Sequence, residues 1–224
     1  MGELAGHTIH RDHIHHSWNN AFAPCLRIAP GDSVEFETVD ASSGQLTKTS
    51  TAADLEKLDL GRVNPVTGPV WIDGAKPGDA LKVTILSLRP SGWGWTGNIP
   101  GFGLLTDQFP DARLHHWHYD PALTPAMYGP GGRVPLRPFT GTIGVAPAEP
   151  GLHSIIPPRN VGGNMDARDI CEGCELYLPV EVEGALFSVG DTHAAQGDGE
   201  VCGTAIESPI DVALKFELVK SANL

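Results

Sequence analysis

The segment FSVGDTHAAQGDGE, residues 187–200, holds more side chains that bind metals or move protons than a turn requires. Five of them fall within ten positions: Asp191, His193, Gln196, Asp198 and Glu200. If the preceding apolar strand continues into this segment, Asp191 and His193 project to the same side. A carboxylate beside an imidazole suits a divalent metal such as zinc, so the pair predicts a metal site.

The glycines of this segment allow the backbone to fold closely around two further acids, Asp198 and Glu200. Glu200 then heads a predicted strand, EVCGTAIE, where it suits a general base. The alternative is a hairpin whose polar loop is merely solvated.

Two other segments bring the same residue types, although each is weaker by itself. Asp40 ends a predicted strand in TVDASSGQL, where an Asx turn explains it equally well. Asn164 and Asp166 follow Gly162 and Gly163 in VGGNMDARD, and consecutive glycines can present N–H groups to a carbonyl or an anion. A simple glycine turn explains the second segment without any function.

The rest of the sequence gives little support for other kinds of catalysis. No G-x-S-x-G, P-loop or dinucleotide fingerprint is present. Cys202 lies near Glu200, and a nearby carboxylate would raise the pKa of its thiol, which makes it a poor nucleophile. His16 precedes Ser17-Trp18, where the tryptophan would anchor the segment to a core or a pocket wall.

Composition disfavours two classes of partner and indicates a cellular location. The 224 residues carry a formal net charge of -12, which disfavours nucleic acids and anionic membrane surfaces. No apolar run is long enough to span a bilayer, and the N-terminus lacks a signal-peptide core, so we expect a cytoplasmic protein. Only two of the four cysteines have metal-ligand spacing, and free thiols are the better interpretation.

Period-2 alternation dominates the chain and predicts a mainly β fold. Strands are predicted in SVEFETVD, ALKVTILSL, ELYLPVEVEG, GALFSVGD and DVALKFELVK. Helical patterns are poor, and STAADLEKLDLG is the best of them. Residues 89–113, rich in Gly and Trp, are predicted to form a long loop, and a Pro/Gly-rich zone suggests a division into residues 1–120 and 121–224.

Several long segments, taken together, resemble the acetamidase/formamidase family. They are GGNMD, DASSGQ, NPVTGPVWIDGAKPGDALKV and ELYLPVEVEGALFSVGDTHAAQGDGEVCGTAIE. The resemblance implies hydrolysis of short amides such as formamide or acetamide to ammonia and a carboxylate. It also implies a jelly-roll-like β sandwich joined to a second β-rich, barrel-like unit, assembly into homodimers or larger homo-oligomers, and a divalent zinc or calcium ion. The family usually continues past DVALKFELV into a further α/β segment.

The motif positions that carry over from the family are Asp40, Asn164, Asp166, Asp191, His193, Gln196, Asp198 and Glu200. The clustering of ligand-type residues suggests their roles as a hypothesis. Asp40, Asp191 and His193 would hold the metal, with Asp198 as a further ligand or as a partner of Glu200 in proton transfer. Glu200 would take a proton from water and pass it to the leaving nitrogen. The oxyanion would be held by Asn164 and by the N–H groups of the glycines before it. The substrate-binding residues would be Gly162, Gly163, Gln196 and His16.

Two alternatives stay open from the sequence. The chain could be a catalytically idle β-sandwich binding protein that keeps the polar cluster as a structural metal site. It could also be a metal-free amidase in which Asp198 and Glu200 share the proton transfers.

Overall fold

The computed structural model describes residues 6–122, 127–129 and 132–222, and regular structure there is almost entirely β. The strands are β1 His7–Ile9, β2 Ile14–His15, β3 Ser17–Trp18, β4 Leu26–Ile28, β5 Ser33–Phe36, β6 Val66–Ile72, β7 Ala80–Pro90, β8 Trp93–Asn98, β9 Arg113–His118, β10 Met127–Gly129, β11 Gly132–Val134, β12 Phe139–Gly144, β13 His153–Ser154, β14 Gly162–Asn164, β15 Glu175–Pro179, β16 Phe187–His193 and β17 Ile210–Val219. The helical elements are α1, Ala52–Leu55, and a 3₁₀ turn, Leu60–Arg62. Neither approaches the length or apolarity needed to cross a membrane, and the described ranges hold no other helix.

A five-stranded sheet forms one layer, in the order β1-β5-β17-β7-β15. The long antiparallel pair β7 and β17 lies at its centre, and β1 adds in parallel to β5. Leu81, Val83 and Ile85 of β7 are buried, while Lys82 and Thr84 between them are partly exposed. The alternation in the sequence therefore gives this sheet one buried face, as predicted.

The second layer is a six-stranded sheet in the order β14-β12-β16-β6-β2, with β4 parallel to β6. Strand β16 lies inside this sheet, and all seven of its residues are buried. Its polar C-terminal residues are buried as well, so they must find partners within the protein.

Apolar side chains from both sheets form the main core. Phe36 and Phe216 of the five-stranded sheet meet Phe187 of the six-stranded sheet, with ring centroids 4.9–6.2 Å apart and edge-to-face geometry. Burial of such rings is a major stabilising contribution to a domain. The fold is thus a mainly β sandwich, as the sequence and the family resemblance predict.

Both sheets draw strands from both sides of residue 121. The five-stranded sheet combines β1, β5 and β7 with β15 and β17, and the six-stranded sheet combines β2, β4 and β6 with β12, β14 and β16. A cut between residues 120 and 121 would therefore divide both sheets instead of separating two units.

The expectation of a long loop at residues 89–113 is correct for residues 99–112, which have no helix or strand. It is wrong for residues 93–98, which form β8 and pair antiparallel with β9. Trp93 and Trp95 pack into a small second core with Leu46 and Leu55. Gly94 stands between the two tryptophans because a Cβ there would lie 2.6 Å from the carbonyl oxygen of Glu207. Glycine in this segment permits close packing, whereas the sequence analysis interpreted it as a loop.

The predicted helix is a single turn. Thr51 and Asp54 form a capping box at its start, and Leu55 is its buried residue. The chain then continues into the 3₁₀ turn, since such a short helix buries too few apolar side chains to extend further.

Strand β16 packs closely against the start of β6 at Gly190. A Cβ at this position would lie 2.1 Å from the carbonyl oxygen of Pro65 and 2.8 Å from Cα of Val66. Both contacts are with backbone, so a side chain here would force the two central strands apart.

We therefore expect Gly190→Ala to lower the free energy of unfolding by about 2 kcal/mol, the usual effect of overpacking a core. The matched control is Gly6→Ala, because a Cβ at Gly6 would have no neighbour within 4 Å. Urea denaturation of both variants measures the difference. Equal stability of the two variants would contradict the close packing of β16 on β6.

His15 connects the edge strand β2 to β16 in its neutral form. Its Nδ1–H donates to the carbonyl oxygen of Ser17 at 2.7 Å, and its Nε2 accepts from the hydroxyl of Ser188 at 2.9 Å. Burial, which outweighs the bond to Ser17, lowers the pKa of His15 from 6.5 to about 4. Protons therefore favour the unfolded chain between these two values.

From this shift we expect stability to fall as the pH drops from about 6.5 to 4, by on the order of 3 kcal/mol from His15 alone. Above pH 6.5 the group contributes no pH dependence, because it is neutral in both states. His15→Gln removes this titration, so its unfolding free energy should depend less steeply on pH in this window. Parallel curves for the two proteins would contradict the assignment.

Candidate functional site

The C-terminal ends of several strands meet at one end of a cavity of about 470 Å³. The group there, called the carboxylate cluster below, comprises Asp166, Asp191, Glu200 and Glu207 around the imidazole of His193. These residues lie far apart along the chain, so the cluster exists only in the folded protein.

His193 is the centre of the cluster and is almost completely buried. Its Nε2 lies 3.1 Å from Oε2 of Glu207, 3.5 Å from Oδ1 of Asp191 and 3.9 Å from Oε1 of Glu200. Burial by itself lowers the pKa of His193, but the carboxylates of Glu207 and Asp191 outweigh it and raise that pKa well above 6.5. The ring therefore favours a positive charge at this position.

Gln196 fixes the orientation of the imidazole. Its Nε2 donates to the carbonyl oxygen of Asp166 at 2.8 Å, so its Oε1 faces Nδ1 of His193 at 3.1 Å and accepts that proton. The other ring nitrogen, Nε2, then faces the acids, where it either carries a second proton or offers its lone pair to a cation.

Strand β16 positions Asp191 and His193 on the same side, as the period-2 pattern predicts. Glu207 reaches them from the segment 204–208, which runs between β8 and β16. Its N–H and C=O pair with Trp95 at 2.8 Å each, and the N–H of Ser208 donates to the carbonyl oxygen of Thr192. The β8–β9 hairpin thus holds one wall of the site.

Asp166 enters the cluster directly after β14, where its N–H donates to the carbonyl oxygen of Gly141. The approach is close: a Cβ at Gly141 would lie 2.7 Å from Oδ1 of Asp166 and 2.9 Å from Cε1 of His193. Only glycine fits between the two functional side chains.

Three polar residues around the site have positive φ angles: Asn64 at 50°, Asp166 at 47° and Asp191 at 49°. Asn and Asp tolerate this left-handed region better than other residues that have a side chain. Nδ2 of Asn64 donates to Oδ2 of Asp191 at 3.0 Å, so two of these residues stabilise each other. Backbone strain of this kind concentrates at functional sites.

Hydrogen bonds from β12 connect Asp191 to Asn164. The hydroxyl of Thr142 lies 3.1 Å from Oδ2 of Asp191 and 2.9 Å from Oδ1 of Asn164. Asn164 also lines the cavity. With its oxygen facing Thr142, its amide N–H groups are the part available to a bound molecule.

The other acids of the cluster hold their protons more tightly than usual. Burial, followed by the charge of Glu207, raises the pKa of Glu200 to about 8. Burial, followed by the charge of Asp191, raises the pKa of Asp166 to about 7. Burial likewise raises the pKa of Glu207, although the positive charge of His193 opposes it.

Three buried carboxylate oxygens have no hydrogen-bond donor within the part of the chain that the structure describes. They are Oδ1 of Asp166, Oε1 of Glu200 and Oε2 of Glu207, the last of which has only its ion pair with His193. Unsatisfied buried acceptors are costly, so each must be met by a proton, a water molecule or a cation.

The ligand atoms are close enough to hold a metal ion. Two groups, one of Asp166, Asp191 and His193 and the other of His193, Glu200 and Glu207, each have ligand atoms within 4.8 Å of one another. One imidazole nitrogen with carboxylate oxygens suits zinc, while calcium would need more oxygen ligands.

Asp40, predicted as a metal ligand, lies outside the carboxylate cluster. Its oxygens accept hydrogen bonds from the N–H and hydroxyl of Ser42, from the N–H of Gly44 at 3.1 Å and from Nε1 of Trp95 at 2.9 Å. A carboxylate with so many donors is already satisfied. The Asx turn that the sequence left as an alternative describes this residue.

Asp198, predicted to act in catalysis, also lies outside the cluster. Its side chain is 91% exposed and forms an ion pair of 2.7 Å with Arg168. The predicted strand at Glu200 is wrong as well: the chain turns at residues 201 and 202, because the glycines around Asp198 allow a loop. This loop directs Glu200 inward and Asp198 into solvent.

The predicted substrate-binding residues fall into different places. Gly162 and Gly163 pair with β12, and the N–H of Gly162 donates to the carbonyl oxygen of Arg159, so that donor is not directed at the cluster. His16 bonds to the hydroxyl of Ser43 and is not a wall residue of the cavity. Gln196 contacts His193 instead of facing this cavity.

The sequence pattern did not identify Glu207, and it named Asp166 in the VGGNMDARD motif without giving it a role. Glu207 follows an apolar pair in TAIESP, and no local pattern separates it from a solvated acid at a strand end. Asn64 and Thr142 were missed for the same reason, because their role depends on contacts with Asp191 that are distant in sequence.

Comparison with known proteins agrees with the family resemblance. Residues 5–155 and 148–223 match the profile of the acetamidase/formamidase family. The formamidase of Methylophilus methylotrophus is 29% identical over 92% of this chain and 64% of its own length. The acetamidase of Mycolicibacterium smegmatis is 30% identical over 92% of this chain and 66% of its own length.

A solved structure is similar over almost the whole chain. The recombinant predicted acetamidase/formamidase from Thermoanaerobacter tengcongensis has a TM-score of 0.90 and 35% identity, over 97% of this chain and 71% of that one. This chain spans less than two-thirds of the length of the two curated relatives. The sequence match and the fold agree, and the chain belongs to the acetamidase/formamidase family.

Proposed function

We propose that this chain hydrolyses carboxamides to ammonia and a carboxylate, with the carboxylate cluster as its active site. The observation that supports it best is the buried imidazole of His193 facing several acids with raised pKa values at the polar end of a cavity. Perturbed titratable groups in a pocket are typical of active sites. The names of the relatives, formamidase and acetamidase, supply the bond that is cleaved.

Hydrolysis of an amide requires an activated water molecule and a protonated leaving nitrogen. Glu200 is the candidate for both steps, because its pKa of about 8 lies near neutral pH. Such a group can accept the proton of water and then donate one to nitrogen. Its Oε1 is buried and free of hydrogen-bond donors among the described residues, so it can contact a bound water molecule.

The developing oxyanion needs a hydrogen-bond donor. Asn164 is the candidate, because it lines the cavity while its oxygen is occupied by Thr142. One such donor typically contributes about 3 kcal/mol to the stability of the transition state. We therefore keep Asn164 as a catalytic residue. Gly162 and Gly163 contribute instead to the pairing of β14 with β12.

A divalent ion fits the cluster, because three buried carboxylate oxygens lack donors there. Either of two groups that share His193 would hold it, Asp166 with Asp191 or Glu207 with Glu200, in place of Asp40 and Asp198. Such an ion supplies a lower pKa for bound water and polarises a carbonyl group. Gln196 would keep His193 in the tautomer that presents Nε2 to the ion.

The remaining expectations from the sequence are kept as part of this proposal. The substrate is a small neutral amide, and the ion is zinc or calcium, with zinc favoured by the imidazole ligand. A cytoplasmic location is supported by four free cysteines, which suit a reducing compartment. Assembly into homodimers or larger homo-oligomers remains a prediction from the family.

The proposal is tested by release of ammonia from a series of amides and by Glu200→Gln. We expect the substitution to lower kcat by about a hundredfold or more, because it removes proton transfer but keeps the shape of the side chain. Asp198→Asn is the matched comparison, since this exposed acid lies outside the cluster and should change kcat by less than about threefold.

Unchanged turnover in Glu200→Gln would remove Glu200 from the mechanism. Absence of ammonia from every amide, with the wild-type protein saturated with zinc or calcium, would favour the alternative of a binding protein with a structural metal site.

A second test concerns the metal. After treatment with a chelator, the protein should bind about one equivalent of zinc or calcium in calorimetry, with a higher melting temperature because the ion stabilises the folded state. Glu207→Gln should weaken that affinity at least tenfold, while Glu183→Gln, an exposed acid elsewhere, should not change it. If neither ion binds while ammonia is still released, the metal is removed from the mechanism.

A further inference from the structure

The cavity beside the carboxylate cluster is much larger than the smallest amides. Its volume is about 470 Å³, whereas a water molecule occupies about 30 Å³ in the liquid. The cavity could therefore hold about fifteen waters, while formamide and acetamide are each the size of only a few. Volumes of this order normally accommodate larger organic ligands.

The lining of the cavity divides into two chemical regions. The carboxylate cluster and Asn164 form the polar region. Ser42, Asn64 and Thr204 add further polar groups. The apolar part of the lining is contributed by Leu58, Leu60, Val63, Trp95, Ile99, Pro100, Phe102 and Ile156. No Lys or Arg occurs among the described residues that line the cavity, so nothing there would pair with an anionic group on a substrate.

Part of the apolar region is in contact with solvent. The side chains of Leu60, Phe102 and Ile156 line the cavity and are 66%, 53% and 46% exposed. They come from three separate segments of the chain and line the same cavity. Exposed apolar groups around a cavity favour an apolar ligand, because its binding removes their surface from water.

We propose that the substrate carries an apolar acyl group longer than acetyl, such as a hexanoyl or benzoyl group. The carboxamide would lie at the carboxylate cluster and the acyl group against Leu60, Phe102 and Ile156. This inference rests on the proposed amidase function and adds the class of substrate to it.

The test compares formamide, acetamide, butanamide, hexanamide and benzamide by ammonia release. Each buried methylene contributes about threefold to fourfold to kcat/KM. We therefore expect hexanamide to exceed acetamide by at least tenfold, with most of the change in KM, since contacts remote from the reacting bond act mainly through binding. A preference for formamide or acetamide would overturn the inference while leaving the amidase function intact.

Leu60→Ala provides a variant at an exposed position where folding should be unaffected. It should lower kcat/KM for hexanamide at least threefold more than it lowers kcat/KM for acetamide. Leu152→Ala is the matched control, because Leu152 is 72% exposed and does not line this cavity. Equal effects of the two variants on hexanamide would contradict the placement of the acyl group.

Calorimetry measures the affinity for each amide without turnover, so it tests the inference independently of catalysis. Hexanamide should bind at least tenfold more tightly than acetamide, even to Glu200→Gln. If no amide is hydrolysed, the proposed function fails and this comparison alone decides the inference. Binding of hexanamide no tighter than acetamide overturns it.

Discussion

One buried imidazole faces several buried carboxyl groups, and the rest of the structure must satisfy this arrangement. Ionising Asp191, Glu200 and Glu207 together beside His193 would place more negative charge in a poorly solvated site than one imidazolium can balance. The raised pKa values of Glu200 and Glu207 express the same conflict. Protons or a cation must resolve it, and both are agents of amide hydrolysis.

The sandwich supplies the rigidity that such a site requires. Strand β16 lies inside the six-stranded sheet, and His193 at its end pairs with Phe139 of β12 on one side and with Glu207 on the other. The positive φ of Asp191 is maintained by that packing and by its bond from Asn64.

The sequence predicted the parts of the fold that follow from local patterns. Alternation predicted the main strands and placed Asp191 and His193 on one side. The VGGNMDARD motif and the family resemblance both pointed to Asn164 and Asp166. The sequence could not assign Asp40 correctly, because only the folded protein shows the donors from Ser42, Gly44 and Trp95 that satisfy it. Glu207 could not be identified from the sequence, because its position depends on pairing with β8 and that segment was interpreted as a loop.

The central claim concerns the charge of His193, and nitrogen-15 NMR of the imidazole in metal-free protein tests it most directly. The groups that face its Nε2 are Asp191, Glu200 and Glu207, while Gln196 accepts from its Nδ1. We predict an imidazolium with both nitrogens protonated at neutral pH, and a pKa well above 6.5. A neutral ring at neutral pH, with a pKa of 6.5 or lower, would contradict the account.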